Sequence, residues 1–388
     1  MKKKKENKKL PLSGISVLDL TNVLSGPFAT LILADLGANV IKVEKPLGDD
    51  SRNYGPFINN ESSYFISLNR GKKSIVLDLK TKKDKRIFEK LLSNVDVLVD
   101  NFKPGILEKY GYSWKSLSKK FPKLIHSKIS GFGETGPYKK FPAYDIIVQA
   151  MGGVMSITGN DKKNFVRVGS SIGDIVAGLF CVIGILSQLI WRSKNKLGSK
   201  LDLSMLDCQI AILENAIARF SVEKKIPEPL GTDHPTISPF GVFKTKNGAI
   251  TLAAGNDKIF KKLCDAIECK KLNDDVLFST NKKRNKNLKL LKIKIESRLK
   301  NKKSEFWINK LRKNDIPCAP INNIKNIVDD PHLKERKMVL DYRYNKFNSL
   351  KVSGNPLKFN FVKEKKQPNK SPKLNENKDE ILKFFGIT

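Results

Sequence analysis

The first regular pattern in the chain is the strand-length apolar run Ile15-Ser16-Val17-Leu18-Asp19-Leu20, which ends in the loop Thr21-Asn22-Val23-Leu24-Ser25-Gly26-Pro27. Helical spacing predicts a helix from Pro27 to Leu36, and Asn39-Val40-Ile41-Lys42-Val43-Glu44 reads as a second strand. This is a βαβ unit. Proline is favoured in a first helical turn, because its missing N–H would be unpaired there anyway, and the free donors of that turn can face a phosphate. The pattern then repeats, with a strand over Ser74 to Leu79, a lysine-rich amphipathic helix over Lys82 to Ser93 and a strand Val95-Asp96-Val97-Leu98-Val99. The loop Asn101-Phe102-Lys103-Pro104-Gly105, a helix through Tyr110 and a strand over Lys123 to Ile129 follow. Such alternation predicts an α/β fold with a parallel, doubly wound sheet. No GxGxxG is present, so a dinucleotide is not the expected ligand.

Two long helices are expected next, over about 174–194 and 203–220. The stretch Ile175 to Trp191 is uncharged, but it falls short of the ~20 residues of a bilayer span and contains Gly178, Gly184, Ser187 and Gln188, so it is read as a buried core helix. The link Glu223-Lys224-Lys225-Ile226-Pro227-Glu228-Pro229 marks a compositional break. Beyond it, Gly241 to Leu252 reads as two strands joined at Lys246-Asn247-Gly248, a hairpin signal. Amphipathic helices near 257–266, 286–300 and 304–313 complete an α+β module. The charged tail from Lys363 to Asn377 has no aromatic residue and is expected either to wrap the surface or to be disordered.

Length and composition narrow the function. A chain of 388 residues has room for two domains. Its formal net charge of +34 invites a polyanion-binding reading, but 62 of the 73 basic residues are lysines scattered among Asn and Ile. Arginine, the residue of bidentate phosphate and base contacts, is scarce. A solvated lysine surface is the reading adopted, with neither a nucleic-acid nor a membrane partner. Cys181, Cys208, Cys264, Cys269 and Cys318 form no CxxC pair and imply neither a zinc site nor a disulfide framework. The lysine-rich start runs directly into Leu10-Pro11-Leu12-Ser13-Gly14 without the apolar stretch of a signal peptide, so a cytoplasmic protein is expected.

One carboxylate stands out by position. Arg167-Val168-Gly169-Ser170-Ser171-Ile172-Gly173-Asp174 delivers Asp174 to the start of the long apolar helix. An aspartate there has an ordinary use as a cap for exposed N–H groups. It also suits a nucleophile, since a helix N-terminus favours the ionised form and Gly173, Ala177 and Gly178 leave room for a substrate. Attack on a thioester would give a mixed anhydride and a free thiolate. The two uses are compatible, and the residues alone leave both open. His126, His234 and His332 follow no Ser-His-Asp order and no HExxH helix, and are read as structural; Asp49-Asp50 and Asp329-Asp330 are read as solvated loop pairs.

The segment Val17-Leu18-Asp19-Leu20-Thr21-Asn22-Val23-Leu24-Ser25-Gly26-Pro27-Phe28-Ala29-Thr30, followed by Leu33-Ala34-Asp35-Leu36-Gly37-Ala38-Asn39-Val40-Ile41-Lys42-Val43-Glu44, resembles the opening of class III CoA-transferases of the CaiB/BaiF type. Further signatures appear in the family's order: Asn69 to Ile75, Asn101 to Gly105, Gly131-Phe132-Gly133-Glu134-Thr135-Gly136-Pro137, Ala143-Tyr144-Asp145, Ile316 to Pro320 and Asp330-Pro331-His332. The resemblance implies that Asp174 is the nucleophile, carrying first an acyl anhydride and then a CoA thioester. It implies CoA, as a substrate, along Leu24, Ser25, Lys45, Leu77, Asp78, Leu79, Lys80, Asn101, Phe102, Lys103, Lys109, Pro142, Ala143, Tyr144 and Asp145. It implies a large Rossmann-like domain built from both chain ends, here 1–222 and 326–388, with a small inserted α+β domain over 223–325. Two subunits of the family interlink as rings, which suggests that Ala254-Gly255-Asn256-Asp257 closes over the partner's acyl group. No metal or redox cofactor is implied.

Departures from the pattern separate the members. Family racemases carry His immediately before the aspartate matching Asp145, and Tyr144 stands there in this chain. A phenol of pKa ~10 is a poor proton shuttle beside imidazole, so acyl-CoA racemisation is the weaker alternative. Formyl-CoA:oxalate transferases carry Gln where this chain has Leu24, and a glycine run where it has Ala253-Ala254-Gly255-Asn256. The pattern is nearer to the group that uses succinyl-CoA and a dicarboxylate such as hydroxymethylglutarate. Arg52 and Arg167 are then candidate partners of a distal carboxylate, with Gly255 and Asn256 near the acyl group. A non-catalytic CoA- or polyanion-binding protein is the alternative of another class.

Overall fold

A computed structural model describes residues 10–343, 349–362, 364 and 367–387, which leaves the lysine-rich start and tail residues 363, 365 and 366 outside the description. The chain divides into two compact units. One comprises Met1–Val154, Arg167–Ser221 and Asp330–Thr388, the other Met155–Val166 and Val222–Asp329. Residues 155–166, which the sequence reading leaves in the large domain, cluster with the second unit.

The first unit is built on six parallel strands: β1 (Ser16–Asp19), β2 (Asn39–Glu44), β3 (Lys73–Val76), β4 (Val97–Asp100), β5 (Ile125–Ser130) and β6 (Lys200–Ser204). They lie in the order β3-β2-β1-β4-β5-β6, every pairing parallel. This is the doubly wound order, and its direction of winding reverses between β1 and β4, where a crevice opens beyond the carboxyl ends of the strands. The sequence reading has no β6. Lys200 and Asp202 alternate with Leu201 and Leu203, and a short strand at the sheet's edge, polar at every second position, gives a weak apolar signal.

Helices cover both faces. On one, α1 (Ser25–Asp35) and α4 (Ile172–Asn195) bury Ala29, Leu33, Ala177 and Cys181 against Val17, Val97 and Ile129. On the other, α2 (Lys82–Leu92) packs Phe88, Leu91 and Leu92 on Ile41, Ile75 and Leu98. Two further helices, α3 (Asp145–Met151) and α5 (Met205–Ala211), lie near the start of α4. The expected helix over 203–220 breaks at 212–215, where Glu214 adopts a φ of 57°. The long α4 is not the buried core helix expected. It is long and apolar enough to cross a membrane, yet Val176, Ala177, Gly178, Cys181 and Ile185 are buried while Leu179, Ile183, Ile190 and Trp191 are exposed.

The second unit has an antiparallel sheet of β7 (Phe240–Thr245), β8 (Gly248–Ala253) and β9 (Cys318–Pro320), in the order β9-β8-β7. The hairpin closes Thr245 against Gly248, as the Lys246-Asn247-Gly248 signal predicts. Helices α6 (Asp257–Ala266), α7 (Leu288–Leu299) and α8 (Ser304–Lys313) supply Phe260, Leu263, Ile295 and Trp307 to its core.

The chain then returns to the first unit and ends in α9 (Lys378–Phe384). Before that helix, the tail takes the first of its two expected courses and wraps edge strand β3. Asn375 Oδ1 accepts the N–H of Val76 at 2.8 Å, Asn377 Oδ1 accepts that of Ser74 at 3.0 Å, and the Asn377 N–H donates to the Ser74 carbonyl. An open strand edge is a template for unwanted pairing, and asparagine amides here occupy its backbone groups.

Candidate active site

A cleft of about 510 Å³ opens at the carboxyl ends of β1, β2, β4 and β5. It brings together Leu24, Ser25, Lys45, Asn101, Phe102, Lys103, Pro142, Ala143, Tyr144 and Asp174 from the sequence-predicted set. Leu77, Asp78, Leu79, Lys80, Lys109 and Asp145 do not line it. Leu77 and Leu79 are buried in the core beneath α2, and Asp145 lies buried behind the wall. The sequence reading misses Val23, Asp49, Asp50, Tyr54, Lys139 and Phe141, all of which line the cleft. Phe132, Tyr138 and Phe141 pack on one another there, and the spacing of these aromatics around Gly131-Phe132-Gly133 is the signal that could have found them.

The loop after β1 is pinned from three sides. Asn101 accepts the Asn22 N–H and donates to the Asn22 carbonyl, both at 2.8 Å, and Asp49 Oδ1 accepts the Val23 N–H at 3.2 Å. Val23 is held at a φ of 66°, costly for a β-branched residue and a kind of strain found at functional loops. Asp49 is no solvated loop residue. It is buried and pairs with the fully buried Lys42 at 2.7 Å, while the Lys42 ammonium also donates to the Thr21 carbonyl. Below, Lys72 meets Asp19 at 3.0 Å, and the hydroxyls of Thr21 and Thr30 donate to the same carboxylate.

Asp174 is the third residue of α4, so the cap reading fails: Ser171 holds the N-cap position and no side chain of the helix itself caps it. Asp145 does so from α3, its Oδ1 accepting the Gly173 N–H at 2.8 Å. That N–H is therefore not free to receive an oxyanion. Nor do the small residues make room for substrate. A Cβ on Gly178 would stand 2.8 Å from the Ser25 carbonyl oxygen and 3.0 Å from Phe28, and one on Gly173 would meet Val148 at 2.6 Å. Glycine at 178 lets α1 and α4 approach until Ser25, the first residue of α1, faces Asp174. The carboxylate thus sits at two helix N-termini, yet burial and the neighbouring Asp145 push its carboxyl up to about 7, against the favourable Ser25 hydroxyl and N–H.

The other candidates are placed as follows. Arg52 is not available to a substrate: it grips Glu44 with bonds of 2.8 and 2.7 Å and lies 3.7 Å over the Phe65 ring. Arg167 is exposed and its guanidinium stands 3.7 Å from Asp145. Gly255 and Asn256 belong to the second unit, where Asn256 caps α6 by accepting the Ile259 N–H. Of the histidines, His126 is buried against Asp100 at 2.7 Å beneath the loop that carries Asn101.

Fold and site define a class: a doubly wound α/β protein with a half-buried carboxylate in a cleft at the sheet's switch point. Residues 12–378 match CoA-transferase family III, and the chain belongs to that family. It is 38% identical to the acetyl-CoA:oxalate CoA-transferase of Acetobacter aceti, covering 97% of this chain and 96% of that one. It is 36% identical to the human succinyl-CoA:glutarate CoA-transferase, over 96% of this chain and 85% of that one. A CaiB/BaiF family protein from Brucella suis has the same fold, with a TM-score of 0.85 at 35% identity, covering 97% of this chain and all (100%) of the other. The protein is a CoA-transferase.

Proposed function

We propose that the protein moves CoA from succinyl-CoA, or a similar short acyl-CoA, to a carboxylic acid, with Asp174 as the covalent nucleophile. The observation that carries this reading is the placement of the Asp174 carboxylate in the wall of the cleft, between two helix N-termini and, among the described residues, with no cation acting on it as the partner of a structural ion pair. Its oxygen attacks the thioester carbonyl, the C–S bond breaks and CoA leaves as the thiolate, giving an acyl-aspartyl anhydride. The thiolate then attacks the Asp174 carbonyl and releases the donor acid. The acceptor carboxylate attacks that aspartyl-CoA thioester, and the thiolate finally attacks the acceptor's acyl carbon, freeing Asp174. Each hard exchange becomes two easier ones. Backbone donors near Gly169, where no atom would touch an added Cβ, suit the developing oxyanion, worth on the order of 3 kcal/mol per donor.

Lys45, Lys103 and Lys139 line the cleft as exposed ammoniums suited to CoA phosphates. The names of the relatives, with oxalate and glutarate as acceptors, favour a dicarboxylate, and Arg167 is the guanidinium left to meet its distal end. The exposed row Leu179, Ile183, Ile190 and Trp191 on α4 supports a homodimer, interlocked as in the family, in which the partner's Ala254-to-Asp257 loop closes the acyl site. Five unpaired thiols suit a cytoplasmic setting. The test is incubation with succinyl-CoA and a panel of mono- and dicarboxylic acids, following new CoA esters by mass. Asp174→Ala is expected to lose exchange by about 10⁴-fold or more. Full exchange in that variant would refute the mechanism.

A further inference from the structure

The two oxygens of Asp145 serve two different structures. Oδ1 accepts the N–H of Gly173, the residue before Asp174, at 2.8 Å, and Oδ2 accepts the side-chain amide of Gln149, one turn along α3, also at 2.8 Å. Gln149 is fully buried, and its own Oε1 accepts the Val168 N–H at 2.9 Å. Asp145 and Gln149 therefore hold both ends of the 168–173 segment that feeds into α4. The first N–H groups of a helix have no partner within it, so its opening turn is fixed only by what reaches it from outside. Among the hydrogen bonds described, Asp145 is what reaches the Gly173 N–H.

Resting on Asp174 as the nucleophile, we infer that Asp145 is a positioning residue, which sets the direction of the nucleophile by fixing the first turn of α4 and, through Gln149, the 168–173 segment. Asp145 lines no part of the cleft, so it acts through these bonds and not by touching CoA. A displacement of about 1 Å at a reacting group can cost on the order of 100-fold in rate. Its negative charge has a second effect: together with burial it opposes ionisation of Asp174, and among the described residues the other ionisable groups acting on this pair of carboxylates are Arg167, 3.7 Å from Asp145, and Tyr64. Charge and geometry are thereby separable.

Two variants separate them. Asp145→Asn keeps an acceptor for Gly173 but turns a donor toward the donor of Gln149. Combining Asp145→Asn with Gln149→Glu swaps the pair, so that the new amide donates to the new carboxylate and all three bonds survive. For Asp145→Asn, kcat is expected to fall more than about thirtyfold with KM for acyl-CoA unchanged within about threefold, and the acid limb of kcat/KM to move to lower pH. The swap is expected to restore kcat to within about tenfold of the natural enzyme. A smaller loss in the single variant overturns the inference. Where the single variant does not fold, the swap decides alone, a loss beyond about tenfold overturning it and a lesser one supporting it. Asp174→Ala, run alongside, keeps the two readings apart, since surviving exchange there removes the nucleophile whatever the other variants do.

Discussion

Two kinds of carboxylate lie within the same unit and have opposite fates. Burial works against the charge on Asp19, Glu44 and Asp49, but each has cationic partners. Lys72 and Lys42 hold Asp19 below the usual carboxylate range, Arg52 and Lys42 do the same for Glu44, and Lys42 with Ser51 brings Asp49 down to about 2. Asp174 is half-buried, and the charge that acts on it is another carboxylate, that of Asp145, so it is pushed up to about 7. A paired carboxylate is a fixture that pins the loop after β1. One left beside a like charge has no cation to be displaced before it can form a bond, which suits the nucleophile proposed at Asp174.

Removing charge should therefore have opposite effects at the two places. Lys72→Met strips Asp19 of its contact at 3.0 Å and leaves Asn69 and the Pro27 carbonyl without their donor. The expected loss is about 3–5 kcal/mol of unfolding free energy in urea, the usual result of breaking a buried pair from one side. A variant of unchanged stability would mean that Asp19 needs only Lys42.

Asp174→Asn should go the other way. The folded-state pKa of Asp174 lies above its unfolded value of 3.8, so the folded protein holds the extra proton between about pH 4 and pH 7. Its contribution to stability is complete below pH 4 and is lost as the pH rises through 7. The asparagine variant should therefore be more stable than the natural protein at pH 8, by about 2 kcal/mol, and equal to it near pH 4. Thermal melts across that range check the sign. With Asp174 as the proposed nucleophile, the same titration should give kcat/KM an acid limb near 7, falling toward lower pH as the carboxylate is protonated.

The strands and helices around the cleft were legible because their apolar spacing is local: β2 and α6 fall where the pattern puts them. Asp174 could likewise be placed at a helix start from the residues on either side. What surrounds it could not. The bond from Asp145 to Gly173 spans 28 positions, that from Asn101 to Asn22 spans 79, and neither leaves a periodic trace. Charge was legible as a count but not as pairing, which is why Arg52 reads as a free guanidinium and Asp49 as a solvated one of a pair until the fold brings Glu44 and Lys42 to them. The glycines near Asp174 signal close approach, but sequence does not tell whether the approaching group is a substrate or a helix.

Gly178 tests that last point and, with it, the position of the carboxylate proposed as nucleophile. Alanine there would bring a methyl to 2.8 Å from the Ser25 carbonyl oxygen, which is backbone and cannot rotate aside. The two helices must part by a few tenths of an ångström, at a cost of about 1–3 kcal/mol. Because Ser25 also faces Asp174, kcat should drop with stability, and a variant that loses stability alone would show that Ser25 is not needed beside the nucleophile.

The smallest effect is expected farthest from the cleft. Asn377→Ala removes one acceptor from the Ser74 N–H, while the backbone bond from residue 377 to the Ser74 carbonyl persists. The loss is one partly buried hydrogen bond, about 0.5–1.5 kcal/mol. Ser74 does touch the paired network, since its hydroxyl donates to Glu44 Oε1 at 2.6 Å, but Glu44 keeps Arg52 and the Asp49 N–H as partners. The paired carboxylates should therefore absorb the change, leaving kcat and the acid limb near 7 where they are while the melting temperature falls slightly. A moved acid limb would mean that the two groups of carboxylates, separate in their hydrogen bonds, are coupled electrostatically across the sheet.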